Sequence, residues 1–306
     1  MPNLRQLEYL VAVADTGNFR RAADLVNTTQ PTLSEQLKVL EARLGAQLVE
    51  RSRTRVVITP IGEQVVMIAR RMLADSNEIT RLTASGGREL SGVLRLGLPA
   101  TIGPYLLPHV VPELHRRYPD LRLYVREELP GDLPALLESG KQDVIVNLLP
   151  LRNANLVVLP LFREPLHLVV AADHPLAKKQ MASRSDLAGL DVLTLGAGHQ
   201  LHDVVHGLCA EFDARLRLDY EGTSLDMLLE MVALGLGVSF LPGLYTRAAI
   251  TSDESIRIVP LENRAIYRSI CIAWRKASLQ QDSYRALADL VRDQVLNRFD
   301  DFSVVA

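Results

Sequence analysis

Several short stretches of this 306-residue sequence carry side chains whose types and spacing could do chemistry. Gln30-Pro31-Thr32-Leu33-Ser34 sets an amide and two hydroxyls on successive positions, groups able to donate to and accept from base edges. Arg51, Arg53 and Arg55 place three guanidinium groups within five residues, which suits phosphate contact or insertion into a minor groove. A solvated basic turn is the bland alternative. Polar residues also stand where helices are about to begin: Thr101 before Gly103-Pro104, Thr223-Ser224 before Leu225, and the run Gly198-His199-Gln200-Leu201-His202-Asp203. Each offers hydroxyl, imidazole, amide or free N–H groups to a polar or anionic effector. Each is equally an N-cap, and for His199 a satisfied structural histidine stands beside a ligand contact. Cys209 and Cys271 make no disulfide framework, which suits a reducing cytosol, and Cys271 in the apolar run 269–273 reads as a buried, inert thiol.

These groups need elements to hold them. Leu4, Leu7, Leu10, Val11 and Ala14 recur on one helical face, and Gly17 ends it. Ala22, Ala23, Leu25 and Val26 suit a short packed helix, and Asn27-Thr28-Thr29 breaks it with capping chemistry. Pro31 sits where a first helical turn tolerates it, Leu33, Leu37, Leu40 and Leu44 then repeat at helical spacing, and Gly45 stops the helix. Two helices, a tight polar turn and a hydroxyl- and amide-rich front end describe a helix-turn-helix; an ordinary helical hairpin is the alternative. Residues 48–60 read as a small wing, two β-prone pieces around the arginines. From 59 to about 85 one long helix carries Ile61, Val65, Ile68, Met72, Asp75, Ile79 and Leu82 in a heptad seam. That seam predicts pairing with a second copy of the chain. Gly86-Gly87 marks a hinge.

From residue 93 the pattern changes. Strands are expected at 93–98, 121–126, 143–146, 166–171, 192–195, 217–220 and 238–241, with helices at 105–118, 132–139 and 281–299. The alternation predicts parallel α/β sheets, over this length two linked lobes rather than one sheet. The division is therefore 1–59, a winged helix-turn-helix domain; 60–90, linker helix and hinge; and 91–306, a two-lobed α/β domain.

Composition excludes more than it selects. Formal net charge is −2, while residues 1–60 hold eight basic against six acidic side chains; this permits nucleic-acid binding by the first segment without demonstrating it. No run of 18 apolar residues implies a membrane span, and Arg5 and Glu8 inside an amphipathic pattern do not suit a signal peptide, so a cytoplasmic protein is expected. No metal-ligand spacing, Walker loop, GxGxxG or GxSxG is present, so no enzyme, cofactor or metal is expected. A solute-binding protein would explain residues 93–306 but not the segments before them.

The order of parts resembles the LysR-type transcriptional regulators over essentially the whole chain. The likeness rests on 4–45 as helix-turn-helix, Glu50-Arg51 and Thr59-Pro60-Ile61-Gly62 around the wing, Val232-Ala233-Leu234-Gly235-Leu236-Gly237-Val238, and Leu241-Pro242. It implies a winged N-terminal domain, a dimerising linker helix and an effector domain similar to periplasmic binding proteins. It also implies a homodimer or homotetramer on double-stranded promoter DNA that changes DNA bending on binding a small-molecule effector, with RNA polymerase as a further partner. By the same resemblance Gln30, Pro31, Thr32 and Ser34 approach base edges, and Lys38, Arg51, Arg53 and Arg55 lie on or near the DNA backbone. Glu35 stands where many relatives carry Arg; its carboxylate repels phosphate but can accept from cytosine.

Within that family the chain is most similar to the OxyR-like, peroxide-sensing branch, in 100–108, 137–141, Gly198-His199 and Gly207-Leu208-Cys209. That branch senses peroxide with a cysteine directly after the Gly-His pair and resolves it with a second cysteine nine residues on. Here Gln200 holds the first position and Cys209 matches only the second. Glutamine forms neither a sulfenic acid nor a disulfide. Pro130 stands where a peroxide-contacting Thr is expected and His202 where an Arg is expected, while Thr101, His199 and Asp203 remain. The expectation is an effector-responsive regulator whose pocket draws on Thr101, His199, Gln200, His202, Asp203, Thr223 and Ser224. The alternative is a redox regulator acting through Cys209 alone; Val205, Leu208 and Phe212 around it imply partial burial, which argues against reactivity.

Overall fold

The computed structural model describes residues 1–51, 56–84, 90–250, 255–262 and 265–305, without the side chains of 51, 77, 78 and 80–84. The expected contacts of Arg51, Arg53 and Arg55, and the hinge at Gly86-Gly87, lie outside the described residues. The chain divides into two compact units: Met1–Arg88 with Ala135–Asp143 and Ser278–Gln280, and the remainder.

The first unit begins with α1 (Leu4–Thr16), α2 (Phe19–Leu25) and α3 (Gln30–Leu44). Asn3 and Gln6 form a capping box at the start of α1, and Gly17 closes it in the left-handed conformation. Asn18 caps α2, accepting from the N–H groups of Arg20 and Arg21. Asn27 takes the turn at φ 52°, a conformation Asn tolerates better than most residues. Thr29 caps α3, with Pro31 in its first turn and Gly45 left-handed after it. Leu33, Leu37 and Leu40 are fully buried against Leu10, Val13, Ala22 and Ala23, each worth about 2 kcal/mol relative to exposure. Leu25, expected inside, is exposed instead.

Strands β1 (Val49–Arg51) and β2 (Val56–Ile58) pair antiparallel as the wing. Helix α4 (Pro60–Ala84) follows and lays Val66 and Ala69 into the same core. Of the heptad seam, Val65 also packs there, whereas Ile61, Ile68, Met72 and Ile79 stay 45–61% exposed.

The second unit runs β3 (Gly92–Leu98), α5 (Gly103–Arg117), β4 (Leu121–Glu127), α6 (Leu133–Glu138, whose later residues cluster with the first unit), β5 (Val144–Leu148) and β6 (Leu156–Ala171). It continues through α7 (Arg184–Leu187), β7 (Asp191–Leu193), α8 (Gln200–Phe212), β8 (Arg215–Leu216), α9 (Leu225–Ala233), β9 (Val238–Pro242) and α10 (Gly243–Ala249). Last come β10 (Ile256–Val259), β11 (Ile266–Arg275) and α11 (Gln281–Leu296). The strands form one nine-stranded sheet in the order β4-β3-β5-β11-β6-β9-β7-β8, with β10 also paired to β6.

This corrects the expectation of separate parallel sheets. Parallel sets β4-β3-β5 and β9-β7-β8 are joined by two long strands, β6 and β11, that run antiparallel to each other and to their neighbours. Two lobes exist all the same, because two apolar cores exist. Phe162 on β6 and Ile270, Ile272 and Trp274 on β11 enter one; Leu166, Leu168 and Val170 on β6 enter the other. The expected strand at 217–220 is displaced: β8 covers Arg215–Leu216, the Arg217 N–H adds one more bond to the Val192 carbonyl at 2.9 Å, and the chain then bends away while the Arg217 side chain pairs with Asp219.

Gly62, at the start of α4, passes so close to the wing that an added Cβ would lie 2.2 Å from the Leu48 carbonyl oxygen and 2.7 Å from Ile58 Cγ2. Because a backbone oxygen cannot swing aside, Gly62→Ala is expected to destabilise the winged unit by about 2–3 kcal/mol. Denaturant unfolding of the full chain measures that loss.

Candidate nucleic-acid interface and effector pocket

The recognition face is built from the helix outward. With Leu33, Leu37 and Leu40 turned in, α3 presents Gln30, Pro31 and Thr32 to solvent and Ser34 at its margin. Thr32 shares a 2.8 Å hydrogen bond with the Thr29 hydroxyl, so its rotamer is set by the cap of its own helix. Lys38 and Glu35 stand one turn apart, 3.8 Å between charged atoms and both well exposed. At that exposure the pair is weak and screened, so Lys38 remains available to a phosphate.

Behind this face lies a residue that sequence reasoning missed. Arg5 donates to the Val26 carbonyl at 2.7 Å, to the Tyr9 phenol at 3.2 Å and to Glu8 at 2.7 Å, bracing the turn that leads into α3. Donation from Thr28 and then from Arg5 holds the Tyr9 phenol below its ordinary pKa. Nothing in residues 1–10 separates a structural arginine from a solvated one; the interaction spans 21 positions of sequence.

In the second unit Thr101 is buried at 5% exposure, and it is not a cap. Its hydroxyl and carbonyl accept from Arg268 Nη1 and Nη2 at 3.2 and 2.9 Å. Arg268 Nε donates to Glu164 Oε1 at 2.5 Å, and Glu164 Oε2 accepts the Leu244 N–H at 3.0 Å. Both ion-pair side chains are essentially inaccessible, at 2% and 0% exposure. Sequence reasoning passed over both; charges inside two otherwise apolar strands, Arg163-Glu164 in β6 and Arg268 in β11, were the available signal.

The polar run before Cys209 divides. His199 precedes α8 without capping it, is half-buried, and burial lowers its pKa, favouring neutral imidazole near pH 7. Gln200 Nε2 donates to the Leu149 carbonyl at 3.3 Å. Gly198, at φ +98°, leaves its missing Cβ site 3.6 Å from Leu129 Cδ1. Asn147, buried on β5, donates to the Pro130 carbonyl at 2.9 Å. The start of α8, the loop at 129–130 and the end of β5 therefore meet. His202 Nδ1 lies 3.0 Å from the Leu195 carbonyl, which makes that nitrogen the donor and His202 a structural histidine. Asp203 is exposed. Thr223 is exposed too, and Ser224 caps α9, accepting from the Met227 N–H at 3.2 Å.

Both thiols are free and buried. Burial pushes Cys209 up to about 11 and Cys271 up to about 12. Cys209 is more enclosed than the partial burial expected, at 4% exposure beside Val205, Leu208 and Phe212. Among the described residues no cluster of three or more His, Cys, Asp or Glu could hold a metal.

A winged helix-turn-helix unit and a two-lobed α/β unit on one chain define a DNA-binding transcription regulator with an effector-binding domain. Residues 4–63 match the bacterial regulatory helix-turn-helix protein of the lysR family, and residues 87–296 match the LysR substrate binding domain. The chain belongs to the LysR family. It is 38% identical over 298 residues to the DNA-binding transcriptional dual regulator OxyR of Escherichia coli, covering 97% of each. It is also 33% identical to the HTH-type transcriptional regulator EstR of Acinetobacter baylyi, covering 95% of this chain and 97% of that one. Among solved structures it superimposes on a full-length OxyR variant from Pseudomonas aeruginosa with TM-score 0.80, 35% identity and 95% of each chain covered. A hydrogen-peroxide-bound OxyR mutant from Corynebacterium glutamicum gives TM-score 0.67 at 31% identity, over 97% of this chain and 94% of that one.

Arg268→Ala leaves the Glu164 carboxylate buried without its cation and is expected to destabilise the second unit by about 3–5 kcal/mol, read by urea unfolding. Burial, which pushes the Cys209 pKa up, keeps its thiol protonated near pH 7. Native protein treated with iodoacetamide is therefore expected to stay unlabelled at both cysteines while urea-unfolded protein labels at both; rapid native labelling of Cys209 would contradict the burial.

Proposed function

We propose that this regulator binds promoter DNA as a homodimer or homotetramer and alters DNA bending when a small uncharged or weakly polar effector enters the second unit. On this reading residues 1–59 are the DNA-binding part, 60–90 the linker and 91–306 the effector part. The protein works in the cytoplasm with RNA polymerase as partner. Gln30, Pro31, Thr32 and Ser34 meet base edges, with Lys38, Arg51, Arg53 and Arg55 on the phosphates. The apolar side chains Ile61, Ile68, Met72 and Ile79, exposed on α4, support pairing of linker helices.

For the effector, the polar rim formed by His199, Gln200 and the Leu149 carbonyl is the preferred site. Thr101, held by Arg268, and the exposed Asp203 and Thr223 are further candidates, while His202 and Ser224 are engaged locally by the Leu195 carbonyl and the Met227 N–H. No cation is left over in the Thr101 network to welcome a carboxylate or phosphate, since the Arg268 guanidinium is spent on Glu164 and Thr101. The observation that carries the reading against a peroxide switch is Gln200: it occupies the sensing position and is already bonded to Leu149. A redox role through Cys209 alone has its burial and raised pKa against it.

Footprinting on the promoter beside the protein's own gene tests both halves. Peroxide is expected to leave the footprint of the native protein and of Cys209→Ser unchanged; a peroxide shift abolished by Cys209→Ser would sink the effector reading. In the same assay Gln30→Ala is expected to relax sequence preference, while Arg53→Ala weakens all sequences alike and lowers the salt slope by about 1.

A further inference from the structure

The first unit contains a short piece of the effector-binding part of the sequence, Ala135–Asp143, and one carboxylate gathers its contacts there. Asp15 lies in the last turn of α1, where the helix C-terminus disfavours negative charge and the turn itself supplies no basic residue. Its compensation comes from elsewhere. Arg70 on α4 grips it with two hydrogen bonds, Nη1 to Oδ2 at 3.0 Å and Nη2 to Oδ1 at 2.5 Å, and the arginine side chain is only 10% exposed. Lys141 Nζ approaches the same Oδ1 at 3.7 Å.

Packing fixes this approach as well as charge. Gly140 adopts φ +75°, and a Cβ there would stand 3.0 Å from Ala74 Cβ and 3.2 Å from the Arg70 carbonyl oxygen, so only glycine lets the segment lie this close to α4. From Asp143 the chain passes without a linker into β5, whose far end carries Asn147, bonded to Pro130, and leads to Leu149, bonded to Gln200. One continuous run of nine residues, Lys141 to Leu149, thus joins the Asp15 contact to the proposed effector rim.

We propose that Asp15 is a positioning residue through which the DNA-binding helices read the effector-binding part: Arg70 fixes the carboxylate, and Lys141 engages or releases it as the segment 135–143 shifts. The two contacts have the unequal character a switch requires. The bidentate pair with Arg70, whose guanidinium is largely enclosed although Asp15 is 38% exposed, is the stronger by geometry, whereas the single approach of Lys141 at 3.7 Å is weak and screened by salt. Three residues beyond Asp15 begins Asn18, the cap of α2, so a change at Asp15 reaches the entry to the helix-turn-helix directly.

The test is amide hydrogen exchange on the full chain without DNA or effector, so it stands or falls separately from the identity of the effector pocket. Lys141→Met is expected to speed exchange in 138–143 about fivefold while leaving 101–130 and the core of α3 unchanged. Gly140→Ala, which breaks the close approach from the other side, is expected to do the same. Asp15→Asn with Lys141→Met is expected to add little to either alone. A merely structural contact would stop there, so the second readout is DNA bending by circular permutation on the protein's own promoter. Lys141→Met is expected to shift the bend while Gln30 and the rest of α3 stay intact. Unchanged exchange in 138–143, or an unchanged bend despite faster exchange, would overturn the proposal.

Discussion

The second unit is organised around a charge pair that cannot reach water. Arg268 sits on one of the two shared strands and Glu164 on the other, so their contact crosses the seam from which both lobes grow. From it hydrogen bonds run to Thr101, at the turn from β3 into α5, and to the N–H of Leu244, at the start of α10. Placing two charges in such a site gives little net stability compared with two well-packed apolar side chains. What it gives is register: each guanidinium nitrogen of Arg268 and each carboxylate oxygen of Glu164 has a partner, and any slip of β6 against β11 strands a charge. That fixes the junction about which the two apolar cores are hung, and with it where Thr101 can stand.

That constraint explains why the sequence was readable in some places and opaque in others. The helix-turn-helix announces itself because its signals are local: Asn3, Asn18, Thr29, Gly17 and Gly45 cap within a few residues of the helices they bound. The leucine face of α3 follows from period alone. The sheet does not, because alternation of strands and helices looks the same whether two long strands cross between lobes or not. Pro160 and Pro165 inside β6, together with the register shift beside Ile270, disguise a 16-residue strand as separate short ones. Arg268 with Glu164, and Arg5 with Val26, act across 104 and 21 positions respectively, so no window of sequence contains either interaction. Two of the residues easiest to name as ligands, Ser224 and His202, make their hydrogen bonds within seven positions of themselves.

The position held by Gln200 shows how one side chain can keep a site while removing its chemistry. A thiol at the start of α8 would gain from the helix N-terminus, which favours the thiolate, and would be the nucleophile there. A glutamine gains no charge and offers no electrons to peroxide; it offers one donor, already directed at Leu149, and one acceptor. Cys209, by contrast, lies on the inner face of the same helix with the second core, where burial raises its pKa and disfavours the thiolate. Identity of 38% to the OxyR regulator of Escherichia coli carries the scaffold over; the chemistry is decided residue by residue at the site itself.

Signal transmission in such a scaffold has to pass through elements that are stiff over their length and weakly held at one point. Strand β5 meets the first requirement: it is buried along all five residues and bonded on both sides, to β3 and to β11. A shift at one end therefore cannot be absorbed within it, because slipping a residue would turn the side chain of Ile145 or Val146 from one face to the other. The same stiffness makes the segment before it, not the strand, the place where movement must appear. There the anchor is a glycine pressed on α4 and a lysine near Asp15, contacts whose energies are small enough for a bound effector of ordinary affinity to tip. The buried Arg268 pair cannot play that part, since opening it costs more than a typical coupling free energy of about 1–3 kcal/mol. A rigid, charge-locked junction and a loosely latched segment leading into β5 are thus complementary, the first holding the sheet in register and the second, on the proposed reading, offering the signal a route.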